Sequence, residues 1–357
     1  NNIANPLIVT DRGSRDLPFI ERVGDVCLVS KVQSVVFSDI SPNPTDQEIA
    51  RGKRAFVEGQ HDGVIAIGGG SGMDAGKAIS LVGCNDTDLW AFDYDHSESP
   101  DLASESFVPL ICVPTTAGTG AETESTAMLT DTEQSVKRCV WHAKQKPLLA
   151  VLDPELTLGL PADLTAWTGC DALVHAIEAF SVPDWNPLCD GLALEAIRLI
   201  SGSLDRAVTH GEDLEARGAM LVGSCLAGIS FLKGLGLVHA MSHMVGAVCD
   251  THHGLTNAVL LPPVLLFNKS ALLQRSPQIS QAMGLLSQDF EGMYAGVVEL
   301  LDTLEIPRGL SDLQVPEKKL DIIAEKAFTD AARSTNPVSS SVSEIRELLG
   351  VSFDKAR

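Results

Sequence analysis

Of the nine histidines in this 357-residue chain, four fall within HAMSHMVGAVCDTHHG (239–254). A fifth, His175, follows Asp171 by four residues in GCDALVHAIEAF. On a helix, positions i and i+4 share one face a turn apart, so Asp171 and His175 can converge on one ion. His239 and His243 repeat that spacing. His253 immediately precedes Gly254, where a helix is expected to end, and the chain could turn back there to the same centre. A lone histidine in an apolar stretch is ordinarily a hydrogen-bonded core residue. A carboxylate and several imidazoles spaced for one face are different, because unpaired charge in such surroundings is costly. The pattern points to a divalent metal. Imidazole and carboxylate without thiolate suit Fe²⁺, Zn²⁺, Co²⁺ or Ni²⁺ alike.

Two further stretches could hold an anionic ligand. In IAIGGGSGMDAGKAI (65–79) an apolar run enters three glycines and a serine, and a helical pattern follows. Glycines admit close backbone approach, and the first N–H groups of a helix favour a pyrophosphate. The spacing is neither GxGxxG nor GxxxxGK[ST], and alone the segment could be a tight turn. In VPTTAGTGAETEST (113–126) two glycines and six hydroxyl residues follow another apolar run and could hold ribose, phosphate or carboxamide, or simply cap the next element. Asp11 ends the first apolar run; a carboxylate there can accept from a ribose 2′-OH and repel a 2′-phosphate.

The elements that must position these residues fall into two halves. LIVTD (7–11), SVVFSD (34–39), GVIAIGG (63–69), FVPLICVPT (107–115) and LLAVLD (148–153) are short apolar runs ending in turn residues, with helical patterns such as 45–60 and 74–83 between them. Strands apolar on both faces and spaced by helices predict a parallel sheet covered on both sides. The acidic stretch 85–106 reads as a surface loop. Beyond Asp153-Pro154, Ala/Leu-rich windows at 161–180, around 213–232 and at 318–333 have helical spacing, punctuated by Pro161, Pro187, Pro262, Pro263 and Pro307. The expected division is an α/β domain over 1–156 and an all-helical domain over 157–357.

Composition excludes several classes. Hydrophobic residues make up 45% and charged residues 20%, which is globular rather than disordered. Against 47 Asp+Glu there are 26 Lys+Arg, a formal net charge of −21, and no Lys or Arg occurs from Ala78 to Val136. Nucleic-acid binding, which needs basic clusters, is not expected. No unbroken apolar run reaches the ~18 residues of a membrane span. Eight scattered cysteines form no CxxC pair and read as reduced residues of a cytoplasmic protein.

The ordered set LIVTDRG, SPNPT (41–45), GGGSGMDAGKA, PTTAGTGAE, DPELTLGLP, the histidine segments and Asn336-Pro337 resembles the iron-containing (group III, metal-dependent) alcohol dehydrogenases over nearly the whole chain. The resemblance implies a Rossmann-like parallel-sheet nucleotide-binding domain followed by a helical domain, the dehydroquinate synthase-like fold. It places the metal ligands on Asp171, His175, His239 and His253, and the histidine near the substrate, usually not a ligand, on His243. Gly69, Gly70, Ser71 and Asp74 match the pyrophosphate loop, and Thr115, Thr116 and Thr119 the second nucleotide loop. Lys137 matches a lysine near the cofactor ribose, and Asp11 the position favouring NAD over NADP.

The implied activity is hydride transfer between a metal-bound primary alcohol or diol and NAD, with Asp171, His239 and His243 in catalytic roles and Fe²⁺, or else Zn²⁺, as the metal. The implied partner is a small alcohol or aldehyde, in a homodimer or higher homo-oligomer. Maleylacetate reduction, 4-hydroxy acid oxidation and non-catalytic binding of metal or nucleotide are the alternatives. Gly72 and His252 stand where proline is usual, Val248 and Cys249 replace bulkier residues near the substrate, and Val338 stands where arginine is frequent.

Overall fold

The computed structural model describes residues 3–96, 98–103, 106–134, 136–354 and 357. The chain divides into two compact units: residues up to Thr116 with Ala121–Leu156, and Ala117–Gly120 with Thr157 onward.

The first unit is built on five parallel strands in the order β2-β1-β3-β4-β7. These are β1 (Pro6–Val9), β2 (Val35–Phe37), β3 (Gly63–Gly68), β4 (Leu110–Pro114) and β7 (Leu149–Ala150). Helices α1 (Pro18–Val29), α2 (Asp46–Glu58) and α3 (Gly70–Val82) connect the first four. Alternate residues of each inner strand feed separate cores: Leu7, Val9, Val64, Ala66, Leu110 and Cys112 on one face, Ile8, Ile67 and Val113 on the other. That two-sided burial is why the runs lack polar alternation. The sequence TDQE starts α2 as a capping box: Thr45 Oγ1 accepts from Glu48 N–H, and Glu48 accepts from Thr45 N–H.

Two features differ from the sequence reading. An antiparallel hairpin, β5 (Thr126–Asp131) with β6 (Val136–Trp141), follows the threonine-rich loop and was not anticipated. Its strands have one covered face and one open face, so the apolar signal is halved. The stretch 85–106, read as surface loop, contains a short 3-10 turn at Leu89–Phe92 that buries Phe92 in the core. Ser97, Ser104 and Glu105 of that stretch lie outside the described residues.

The second unit is helical: α4 (Ala162–Ser181), α5 (Pro187–Thr209), α6 (Leu214–Ser230), α7 (Leu237–Cys249), α8 (His253–Phe267), α9 (Lys269–Leu272), α10 (Ser276–Ala282), α11 (Phe290–Thr303), α12 (Leu320–Thr329) and α13 (Val342–Asp354). Pro161 and Pro187 stand at helix starts, as expected. Pro262 and Pro263 do not break a helix; they lie inside α8. That helix is buried on nearly every side, and packing outweighs the local cost of a missing N–H. Among the described residues, Leu214–Lys233 is the single stretch long and apolar enough to cross a bilayer, and half of it is buried within the protein.

Candidate metal centre and nucleotide loops

Asp171 and His175 lie on the buried face of α4, one turn apart. His239 lies in the first turn of α7, where Gly236 caps the helix in an extended conformation. His253 does not close a helix, as its neighbouring glycine suggested, but opens one. Asp250, with φ 55°, closes α7 in the left-handed conformation, and His253 is the first residue of α8. Gly254 serves close packing instead: a methyl group there would lie 2.3 Å from the Trp167 carbonyl oxygen and 3.0 Å from Asp171 Cβ. Only glycine lets α8 approach α4 closely enough to bring His253 beside Asp171.

The four candidate ligand atoms lie within 4.8 Å of one another. Asp171 Oδ1 is 4.0, 3.8 and 3.6 Å from Nε2 of His175, His239 and His253. A tetrahedral ion with bonds of about 2.1 Å would set ligand atoms about 3.4 Å apart, so small movements close the site. Burial, reinforced by the neighbouring imidazoles, holds His239 well below the ordinary histidine range. Burial brings His253 down to about 4 and also lowers His175, each against the pull of Asp171. Burial opposes ionisation of Asp171, but His175, His253 and a hydrogen bond from Asn257 outweigh it and lower its pKa. At neutral pH the cluster is therefore one carboxylate and three neutral imidazoles, the protonation state a cation requires.

Asn257 shows that the donors suit a cation. Its Nδ2 is 2.7 Å from Asp171 Oδ1 and 3.1 Å from Nε2 of both His239 and His253. One amide nitrogen with two hydrogens thus faces three acceptors, and Asn257 Oδ1 is buried without a hydrogen-bond partner among the described residues. The surplus of lone pairs is what a metal ion would satisfy. Behind the ligands, Glu178 Oε2 lies 2.7 Å from His239 Nδ1, and its two oxygens accept from the N–H groups of Gly236 and Val238. Accepting from Nδ1–H leaves Nε2 with its lone pair toward Asp171. His243 stands apart from the four ligands. Its ring stacks on His253 at 5.4 Å, and its Nδ1 lies 3.0 Å from Asp330 Oδ2. His252 caps α8, accepting from Leu255 N–H, and does not compete for the cluster.

In the first unit β1 and β3 are neighbours, and the chain leaves the carboxyl end of β1 toward β2 and that of β3 toward β4, in opposite directions across the sheet. Ligands bind such parallel sheets at that switch point. Asp11 lies there with both oxygens accepting from Ser14, through its N–H and its hydroxyl. Gly68 has φ +146°, a conformation open to glycine, and a methyl group on it would lie 3.2 Å from Asp11 Oδ2. Thr10 Oγ1 is buried beside it without a partner among the described residues. Gly69 caps α3, whose first turn contains Gly70 and Ser71; the helix begins earlier than its apolar spacing indicated. Thr115 N–H donates to the Gly68 carbonyl, and Thr116 lies 3.6 Å from where a Gly69 Cβ would be. The orphaned hydroxyl and the open glycine cradle fit a nucleotide.

Asp74 is engaged by Lys77 and the Met128 N–H, and its pKa is raised by burial against their effect. Lys137, on β6, adds a favourable charge toward Asp74. Thr119 is not with the other two threonines in this unit; it belongs to 117–120, which groups with the helical unit.

The profile of the iron-containing alcohol dehydrogenases matches residues 1–154, and that of the C-terminal domain of the same family matches 165–353. The chain belongs to the iron-containing alcohol dehydrogenase family. It is 36% identical over 353 residues to the NAD-dependent methanol dehydrogenase of Bacillus methanolicus, covering 96% of this chain and 91% of that one. The 4-hydroxybutyrate dehydrogenase of Cupriavidus necator is 35% identical, with 97% and 92% covered. The crystal structure of a 1,3-propanediol oxidoreductase superposes with a TM-score of 0.94 at 35% identity, covering 98% of this chain and 92% of that one.

Three residues around this family member's candidate metal centre escaped the sequence reading. Glu178 continues the spacing of Asp171 and His175 on α4, and Asn257 lies one turn after His253 on α8, so helical periodicity could have found both. Asp330 is far from His243 in sequence, and no local pattern joins them.

Proposed function

We propose that this chain is an NAD-linked, metal-dependent alcohol dehydrogenase acting on a small primary alcohol or diol and, in reverse, on the aldehyde. The observation that carries the reading is the convergence of Asp171, His175, His239 and His253 in one neutral-imidazole cluster, the first three of them buried. A divalent cation there would supply a Lewis acid that lowers the pKa of an alcohol, and nicotinamide would supply the hydride acceptor. The set of one oxygen and three nitrogen donors, in an iron-named family, favours Fe²⁺ with Zn²⁺ as the substitute.

The chain's own residues do the rest. Glu178 fixes the His239 tautomer from behind. Asp330 accepts from His243 Nδ1–H, which leaves His243 Nε2 free to take the alcohol proton. The His243 side chain is 37% exposed, so that proton has a route to water. The glycine loop at 68–71, with Thr115 and Thr116, is the proposed cradle for the dinucleotide, and Asp11 disfavours a 2′-phosphate. Among the described residues no two cysteines form a disulfide, which supports a reducing compartment, the cytoplasm.

The test combines elemental analysis of native protein with reduced-nicotinamide absorbance across primary alcohols, diols and 4-hydroxy acids after loading Fe²⁺ or Zn²⁺. Turnover that needs both metal and NAD supports the proposal. Silence across the whole panel in both directions, with metal bound, would overturn it in favour of a binding protein.

A further inference from the structure

The Asn336-Pro337 pair belongs to the pattern shared with the family, yet the proposed chemistry gives it no task. Asn336 follows the 3-10 turn Ala331–Thr335, and its side chain is buried against that of Asn268 at the end of α8. The two amides pair head to tail. Asn336 Nδ2 donates to Asn268 Oδ1 at 2.8 Å, and Asn268 Nδ2 donates to Asn336 Oδ1 at 2.9 Å. Asn336 Nδ2 also donates to the Val338 carbonyl at 2.7 Å, and Oδ1 also accepts from Leu237 N–H at 3.1 Å. Every hydrogen and lone pair of the carboxamide is used. A carbonyl on one side and an N–H on the other admit a single orientation of it.

The Leu237 N–H is one of the four that a helix leaves without an internal partner at its start. An N-cap side chain usually supplies the missing oxygen, but the N-cap of α7 is Gly236, which has none. Glu178 takes the N–H groups of Gly236, Val238 and, at 3.4 Å, His239. Asn336 takes the one that remains. A side chain at 236 would exclude this arrangement, because its Cβ would lie 2.7 Å from Glu178 Oε1 and 2.8 Å from Asn336 Oδ1. The turn that carries His239 is therefore capped by two segments distant in sequence.

The segment before Asn336 grips α7 and its approach at two further points. Thr335 Oγ1 donates to the Leu235 carbonyl at 2.7 Å. Asp330 opens the 3-10 turn by accepting from Ala332 N–H with one oxygen, and its other oxygen lies 3.0 Å from His243 Nδ1. Between them Arg333 braces the turn, donating to the carbonyls of Phe328 and Ser340. All of these residues belong to the helical unit. We propose that Asn336 is a positioning residue for the metal centre: it fixes the first turn of α7 and so holds His239 Nε2 beside Asp171 Oδ1, with Asn268 fixing Asn336 in turn, a role that rests on the metal-dependent reading.

The test strips the full chain of metal, loads it with Co²⁺ and takes two readings. Competition with a chelator gives the affinity, and d–d absorption reports the donor set and its geometry. Asn336→Ala should weaken Co²⁺ binding about tenfold, the lower end of the usual cost of losing an outer partner, and should shift the d–d bands. Asn268→Ala should move both readings in the same direction by less. Its side chain hydrogen-bonds Asn336 and no residue of α7, so its effect passes through Asn336, and it decides the matter if Asn336→Ala does not fold. A variant that loses thermal stability but keeps wild-type affinity and bands would overturn the proposal, leaving Asn336 a brace of the fold alone. A wild-type chain that takes up no Co²⁺ would instead overturn the metal-dependent reading, and this role with it.

Discussion

Replacing Glu178 with glutamine isolates what the carboxylate behind His239 contributes. Glu178 takes His239 Nδ1–H at 2.7 Å, Val238 N–H at 2.7 Å and Gly236 N–H at 3.1 Å. Glutamine keeps the shape but offers one acceptor oxygen and one NH₂ group. If its oxygen faces Val238, the NH₂ confronts donors at Gly236 and at His239 Nδ1. His239 must then shift its proton to Nε2, the atom that faces Asp171 at 3.8 Å. That proton blocks the lone pair a metal needs.

Loss of such an outer partner typically weakens metal affinity by about 10–100-fold, or roughly 1.4–2.7 kcal/mol. The metal-free fold should also lose on the order of 1–3 kcal/mol, because a buried N–H at the start of α7 is left unpaired and an anion is removed from its positive end. Relief from burying a carboxylate whose pKa is raised to about 7 offsets part of that loss. Competition against a chelator of known affinity gives the first quantity, and denaturant unfolding of the metal-free chain gives the second. Unchanged metal affinity in Glu178→Gln would show that Glu178 does not set the His239 tautomer. Unchanged stability would remove its role as the cap of α7.

Other variants probe separate parts of the molecule. His253→Ala should bring metal content close to zero and abolish turnover with it, as read by elemental analysis; a variant that is metal-free and fully active would contradict the ligand assignment. Asp11→Gly should improve NADP use relative to NAD by about an order of magnitude, since one partly desolvated like-charge contact is worth roughly 1–2 kcal/mol. An unchanged ratio of kcat/KM for the two cofactors would count against that role. Glu124 is pushed up to about 7 by burial, although Lys77 and Thr126 act to lower it. The folded chain thus holds this proton more tightly than the unfolded chain, so its contribution is complete below about pH 4.5 and is lost as pH rises through about 7. Glu124→Gln should gain stability relative to wild type across that window, by at most about 3 kcal/mol above it. A pH-independent difference in Tm would refute the assignment.

The inner strands and long helices were legible because their residues repeat a period over many positions. The runs beginning at Leu7, Val64 and Leu110 are buried on both faces, and sequence needs no partner to reveal that. The ligand pairs were legible for the same reason: Asp171 with His175 is a helical step, and Glu178 and Asn257 were open to the same argument. The hairpin at 126–141 was harder, because Thr126, Thr130, Asp131, Lys137 and Arg138 interrupt its apolar residues and dilute the signal. His253 was placed at the wrong end of a helix because Gly254 has two physical readings. A glycine beside a periodic run signals a helix stop when φ is the constraint, and close packing when a neighbouring backbone is the constraint. Here Trp167, on a different helix, decides between them, and one-dimensional spacing carries no information about that contact. The His243–Asp330 and Arg217–Leu160 contacts share this property. They join elements far apart along the chain, and one orients an imidazole beside the candidate ligands while the other supplies a neutral acceptor to a buried guanidinium.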